Sequence, residues 1–275
     1  MLAALSVLIL SQETRKPSLT GNIVKHPDFE SKFLGNKRDI WVYLPPNYRD
    51  EQKRKFPILI LHDGQNVFDG MTSFIPNKEW RADETAEAMI NAGLMEPIII
   101  VAVSNAGVAR GDEYLATRGK AGRTEIGGKG DLYGKFLVDE ALPFLAKTYR
   151  VDTRPEVTGL CGSSLGGLIT LHLGLSTKRF GRLGVVSPSV WWNNREVLGE
   201  VAKAKLTSRP RIWLDMGGEE GKDGLRDARD LRDVLLKRGW TNKNLRYYEE
   251  PGAQHNEDAW ARRFDLILGF LYGRS

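Results

Sequence analysis

The stretch 156–168, E-V-T-G-L-C-G-S-S-L-G-G-L, constrains the fold more than any other part of this chain. A short β-prone run (Val157, Thr158, Gly159, Leu160, Cys161) meets Gly162-Ser163-Ser164-Leu165-Gly166, and a helical apolar pattern of Leu165, Leu168, Ile169, Leu171 and Leu173 begins at once. Strand, sharp turn and helix therefore follow one another with a serine at the tip. In a G-x-S-x-G turn of this kind the serine backbone is strained, so its hydroxyl projects from the sheet edge while the next backbone N–H points at the same spot. Glycines flank it because strand and helix pass too close for a Cβ. Ser164 takes the central position and Ser163 is filler. Alone, the pentapeptide is a weak signal, because loops collect Gly and Ser. It gains weight only if the chain also supplies a base and an orienting acid.

The rest of the chain reads as an α/β protein. Residues 21–25 and 29–34 form short strands, Gly35-Asn36 offers a turn, and 38–44 alternates Ile40, Val42 and Leu44 against Trp41 and Tyr43. Pro45-Pro46 stops these antiparallel opening strands. Runs 57–61 and 97–103 are apolar on both faces, the pattern of buried parallel strands, with a helix at 80–92 between them. The loop 104–130, rich in Gly and Arg, is too long for a mere connector. A helix at 131–149 precedes the serine turn and another at 165–176 follows it. Strands at 183–187, 211–216 and 244–250 then alternate with helices at 195–204 and 225–239, and a closing helix covers about 256–272. Antiparallel strands followed by repeated strand–helix units predict a doubly wound, mostly parallel sheet with ligands beyond the carboxyl ends of its strands. No repeat, low-complexity tract or linker divides 18–275, which reads as one domain.

Composition narrows the function classes. The 275 residues suffice for a substantial core, and 41% hydrophobic with 27% charged residues is ordinary for a soluble globular chain. The net charge of +5 is spread among acidic residues, which favours a solvated surface over a nucleic-acid footprint. A single cysteine, Cys161, excludes an internal disulfide and a cysteine-built zinc cluster, and its place in the strand before the serine makes it a small core residue. The first ten residues, M-L-A-A-L-S-V-L-I-L, are uncharged and too short for a membrane span. They fit the apolar core of a signal peptide, although no Lys or Arg precedes them. The expectation is export to a secreted or periplasmic location with residues 1–12 removed; the alternative is a cytoplasmic protein whose first residues pack on the domain.

A serine hydroxyl is a poor nucleophile until a base takes its proton, and that base needs a partner to hold its tautomer. The chain has four histidines. His26 lies in the opening strands, His172 falls two turns into the helix after the serine, and His62 precedes the serine. Only His255 follows the last strand, in a loop entering the final helix, so the order serine, acid, histidine selects His255. The acid belongs after the strand ending at Met216, where Glu219, Glu220 and Asp223 all occur; spacing does not choose among them, and each could equally be a surface carboxylate favoured by the next helix dipole. Donors for a developing oxyanion are expected from the Leu165 N–H and from the Gly64 or Gln65 N–H after the first buried strand.

These residues and their order resemble the esterase family of α/β-hydrolases, which contains feruloyl and acetyl-xylan esterases, enterochelin esterases, S-formylglutathione hydrolases and mycolyltransferases. The resemblance runs from about Thr20 to the C-terminus. It rests on R-D-I-W-V-Y-L-P-P, L-H-D-G-Q-N-V-F-D, V-A-V-S-N beside R-G-D-E-Y, C-G-S-S-L-G-G-L, S-P-S-V-W-W, L-D-M-G-G-E-E-G and G-A-Q-H-N-E-D-A-W. It implies an α/β-hydrolase fold, Ser164 as nucleophile, His255 as base and Glu220 as acid, with Glu219 as a rival because this chain carries a second carboxylate there. By analogy Trp191 and Trp192 would line the site, with core filling as the alternative, and Arg110 with Glu113 would form a structural ion pair. The loop arginines Arg110, Arg118 and Arg123 read as solvated rather than as a landing place for an acidic substrate. No long insertion between the late strands would make a lid, so an open cleft is expected, suited to a small-molecule or polymer-linked ester. No metal or organic cofactor is required for such chemistry. An acyltransferase or thioesterase with the same three residues, and a non-catalytic binding protein on the same fold, are the alternatives.

Overall fold

A computed structural model describes residues 14–206 and 208–274; the expected signal segment, 1–12, lies outside them. In chain order the strands are β1 Asn22–Ser31, β2 Asn36–Leu44, β3 Ile58–Leu61, β4 Ile99–Val103, β5 Arg118–Ala121, β6 Thr124–Gly127, β7 Thr158–Ser163, β8 Arg182–Val186, β9 Arg211–Gly217 and β10 Leu245–Glu250. The helices are α1 Ala82–Asn91, α2 Arg110–Tyr114, α3 Gly130–Lys135, α4 Leu142–Thr148, α5 Leu165–Ser176, α6 Trp192–Lys203, α7 Gly221–Lys237, α8 Glu257–Arg262 and α9 Phe264–Tyr272.

Eight strands form one sheet in the order β1-β2-β4-β3-β7-β8-β9-β10. The pairs β1/β2 and β2/β4 are antiparallel, and every pair from β4/β3 to β9/β10 is parallel. This is the α/β-hydrolase fold. The parallel strands are apolar on both faces because helices cover both. Ile58 and Ile60 of β3 join α3, α4, α5 and α7 in one core, whereas Leu59 and Leu61 join α1, α8 and α9 in the other. The chain leaves β3 for β4 on one side and returns to β7 on the other, so the carboxyl ends of β3 and β7 meet where the strand order reverses, the crevice in which open α/β sheets bind ligands.

Four elements depart from the expected ones for identifiable reasons. The two short opening strands are one strand, β1, with a bulge between His26 and Phe29: Pro27 has no N–H for the ladder, and Asp28 turns left-handed at φ 52°. The expected helix 131–149 holds a π-helical turn, Phe136–Ala141, between α3 and α4, directly before Pro143, whose ring cannot sit over an unbroken α-helical carbonyl ladder. The long loop 104–130 is folded into α2 and the β5/β6 hairpin. The closing helix is broken at Arg263 (φ −115°), whose side chain turns inward and is almost fully buried. No described helix is long and apolar enough to cross a membrane.

Candidate active site

Ser164 sits between β7 and α5 at φ 60°, ψ −123°, a conformation that L-residues avoid and that tertiary contacts must hold. Its N–H bonds to the Val186 carbonyl of β8 at 3.0 Å, and its own carbonyl accepts from Leu168 and Ser189. The close approach predicted for the flanking glycines holds at Gly162, but on the helix side it falls on Gly167 rather than Gly166. A Cβ on Gly162 would lie 2.9 Å from His62 and one on Gly167 would lie 2.8 Å from the Val186 carbonyl, whereas one on Gly166 meets nothing nearer than 3.4 Å. The Ser164 hydroxyl hydrogen-bonds with that of Ser189 at 3.2 Å.

The carboxylate beside His255 is Glu220, with Oε2 at 2.6 Å from Nδ1. Its rivals point elsewhere: the Glu219 carboxylate is exposed and accepts from Gln254, and Asp223 is exposed and pairs with Arg226. The Glu220 side chain is only 4% exposed. Burial alone would raise its pKa, but hydrogen bonds from His255, the Ser187 hydroxyl and the Gly217 N–H, together with the His255 charge, outweigh burial and hold it below the usual carboxylate value. His255 is placed by the α8 terminus: the next residue, Asn256, caps that helix by accepting from the Ala259 N–H at 3.0 Å. With Nδ1 committed to Glu220, Nε2 is the nitrogen left for a reacting group.

Ser164 and His255 line one cavity of about 340 Å³. Its apolar wall is Trp80, Trp260 and Phe74; its polar lining includes Gln65, Asn66, Asn105, Arg110, Asp63 and Glu257. Of the two candidate donors after β3, Gln65 lines this cavity, whereas Gly64 is buried so close to β4 that a Cβ would lie 2.6 Å from the backbone of residues 102–104. Leu165 is the first residue of α5, so its N–H lies outside the helical i→i−4 ladder. The tryptophans differ from the expectation: Trp192 is buried in the core, Trp191 is an exposed neighbour, and the indoles at the cavity are Trp80 and Trp260.

The expected Arg110–Glu113 pair does not form. Arg110 makes two hydrogen bonds to Asp63, at 2.6 and 2.8 Å, and Glu113 pairs with the fully buried Arg38 at 2.9 Å. A buried guanidinium on β2 requires a buried counter-charge, and Glu113 is the one α2 delivers to it. Arg110 reaches the cavity, but its charge is already matched by Asp63; Arg118 and Arg123 are exposed on the hairpin. Asn66 ties the wall together by accepting from the Phe74 N–H at 2.8 Å and donating to Glu257 at 3.1 Å. Asn66 and Glu257 lie inside blocks that carry the family resemblance without being singled out there, whereas nothing local marks Trp80.

Residues 31–271 match the Esterase family over their whole length. The chain belongs to the Esterase family, and it is a carboxylic ester hydrolase. It is 25% identical over 252 residues to the uncharacterized protein YbbA of Bacillus subtilis (strain 168), covering 88% of this chain and 94% of that protein. It is 29% identical over 261 residues to the iron(III) enterobactin esterase of Dickeya dadantii (strain 3937), covering 89% of this chain but 53% of that longer protein. The siderophore hydrolase EstA from Aspergillus nidulans superposes with a TM-score of 0.69 at 19% identity, covering 98% of this chain and 99% of that one, a likeness of fold.

Proposed function

We propose that this esterase works by two acyl transfers on Ser164, with His255 as base and Glu220 as the acid that orients it. The observation that carries the reading is the Glu220–His255 hydrogen bond of 2.6 Å beside a cavity that the same histidine shares with Ser164. Glu220 on Nδ1 fixes the tautomer with a free Nε2, the form able to accept a proton. The Ser164 hydroxyl turns from Ser189 toward that nitrogen, a tightening common once substrate is bound. Its oxygen then attacks the ester carbonyl, the proton passes to His255, and the oxyanion is met by the Leu165 and Gln65 N–H groups. The imidazolium protonates the departing alcohol, leaving an acyl-enzyme. Water, deprotonated by His255, repeats the sequence and frees the acid.

The wall of Trp80, Trp260 and Phe74 fits a flat acyl group, and two similar proteins carry the names enterobactin esterase and siderophore hydrolase. We therefore assign a siderophore-type ester as the substrate class. Hydrolysis of p-nitrophenyl acetate and butyrate by the native protein and by Ser164→Ala tests the mechanism: the variant should lose activity by a factor on the order of 10⁵ or more. Retained activity would reject Ser164. For the substrate, kcat/KM on enterobactin should exceed that on p-nitrophenyl butyrate by about tenfold or more. A ratio at or below one would reject the siderophore assignment. The apolar first ten residues support export; N-terminal sequencing of the mature protein tests it, and an intact Met1 would argue against it.

A further inference from the structure

We infer that Ser187 is a positioning residue for the proposed site: its hydroxyl, aimed by Trp260 and Arg263, holds the Glu220 carboxylate in place and charged against His255. The inference rests on the reading in which Glu220 and His255 serve Ser164. Ser187 follows β8, is 1% exposed and does not line the cavity, so it acts through its partners: Glu220, and Trp260, whose indole stands edge-on to the His255 ring at 5.1 Å between centroids.

The direction of its proton follows from counting. A hydroxyl has one proton and two lone pairs. Ser187 Oγ lies 3.2 Å from Trp260 Nε1 and 2.8 Å from Arg263 Nη2, and indole and guanidinium can only donate. Both lone pairs are thereby occupied. The one remaining neighbour, Glu220 Oε1 at 2.5 Å, must receive the proton, at the length of a charge-assisted O–H···O⁻ bond. The backbone is held as firmly: Ser187 stands at φ 40°, and its N–H points at the carbonyl and the Oδ1 of Asp215, at 3.2 and 3.1 Å.

The charges around the pair explain why a relay is needed. Arg263 is 1% exposed and shared among Asp215 at 2.9 Å, Glu250 at 3.1 Å and Glu220 at 4.0 Å. Asp215 comes from β9, Glu250 from β10 and Arg263 from the α8–α9 break. Glu257 on α8, Glu219 beside Glu220 and Asp63 across the cavity add further negative groups. Arg263 is too far for a direct bond to Glu220, so the Ser187 hydroxyl carries its polarisation to Oε1. Without that hydroxyl, negative charge shifts toward Oε2, the atom on His255. The imidazolium is then held more tightly, and His255 releases its proton at a higher pH.

Two variants separate the hydroxyl from the backbone: Ser187→Ala keeps the Cβ, and Ser187→Gly accepts φ 40° without one. The His255 ring is titrated by NMR, its signal identified by its absence in His255→Gln, and kcat/KM is followed against pH. Both variants should raise the His255 midpoint and the acid limb of the profile by about half a pH unit or more, and lower kcat about tenfold with KM within about twofold. A midpoint unmoved in both variants, or moved in only one, overturns the inference. The NMR titration gives its answer even if Ser164→Ala retains activity, so failure of the functional reading and failure of this one are told apart.

Discussion

Glu220 and Glu219 are adjacent in the chain, yet only one of them is a buried carboxylate with three donors. Exchanging each for glutamine measures that difference. Glu220→Gln should lower kcat about 10⁴-fold, because an amide offers Nδ1 the wrong partner and frees the ring to adopt the other tautomer. Glu219→Gln, on an exposed side chain bonded to Gln254, should stay near the native rate; equal losses in both would reject Glu220 as the acid. Residue identity alone left three carboxylates open, because which neighbour faces inward depends on how the Gly217-Gly218 turn folds back against Ala253, a long-range contact. Motif and chain order singled out Ser164 and His255 as candidates, and both line one cavity. The aromatic wall was not: Trp80 and Trp260 are 180 positions apart in the chain and become neighbours, with ring centroids 5.8 Å apart, only through packing of α8.

At the scale of elements, the helix that follows Ser164 is tied to its surroundings by a charge. His172 on α5 lies 2.5 Å from Glu200 of α6 and 2.9 Å from Asp131 of α3. Burial alone would lower its pKa, but the two carboxylates outweigh burial and raise it to about 9 from a reference of 6.5. A group with a raised folded pKa lends stability that is fully present below 6.5 and is lost as pH climbs through about 9. The melting temperature of the native protein should therefore fall more steeply between neutral pH and pH 10 than that of His172→Gln. Parallel curves would show that the charge contributes nothing. Periodicity could place α5 and its neighbours, but the π-turn before Pro143, the bulge at Asp28 and the folding of 104–130 into a helix and hairpin each depend on one or two residues that interrupt a pattern, and interruptions carry little signal.

At the scale of the molecule, strand type was readable because the buried runs of β3 and β4 and the alternation of β2 reflect which faces the sheet covers; the order of the strands in the sheet was not. The cross-links between layers were hidden, since they join distant residues. Arg38 and Glu113 are the sharpest case, with both side chains essentially inaccessible to water. Glu113→Gln leaves a buried guanidinium without its counter-charge and should cost about 3–5 kcal/mol in urea unfolding. Adding Arg38→Met removes the stranded charge and should recover part of that loss; a double variant less stable than the single one would contradict it.

Residues 14–20 cross the loop that bears Phe74. Arg15 donates to Met71 and Ser73 carbonyls, Asn77 bonds at both ends to Thr14 and Lys16, Ser18 joins Asp69, Gly70 and Glu79, and the Thr20 N–H reaches Asp83 at 2.6 Å. Trimming the chain to begin at Gly21 would therefore unfasten one side of the cavity without touching Ser164, His255 or Glu220, the residues of the proposed mechanism. The shortened protein should keep its turnover number and lose its grip on the substrate, with KM rising several-fold while kcat holds.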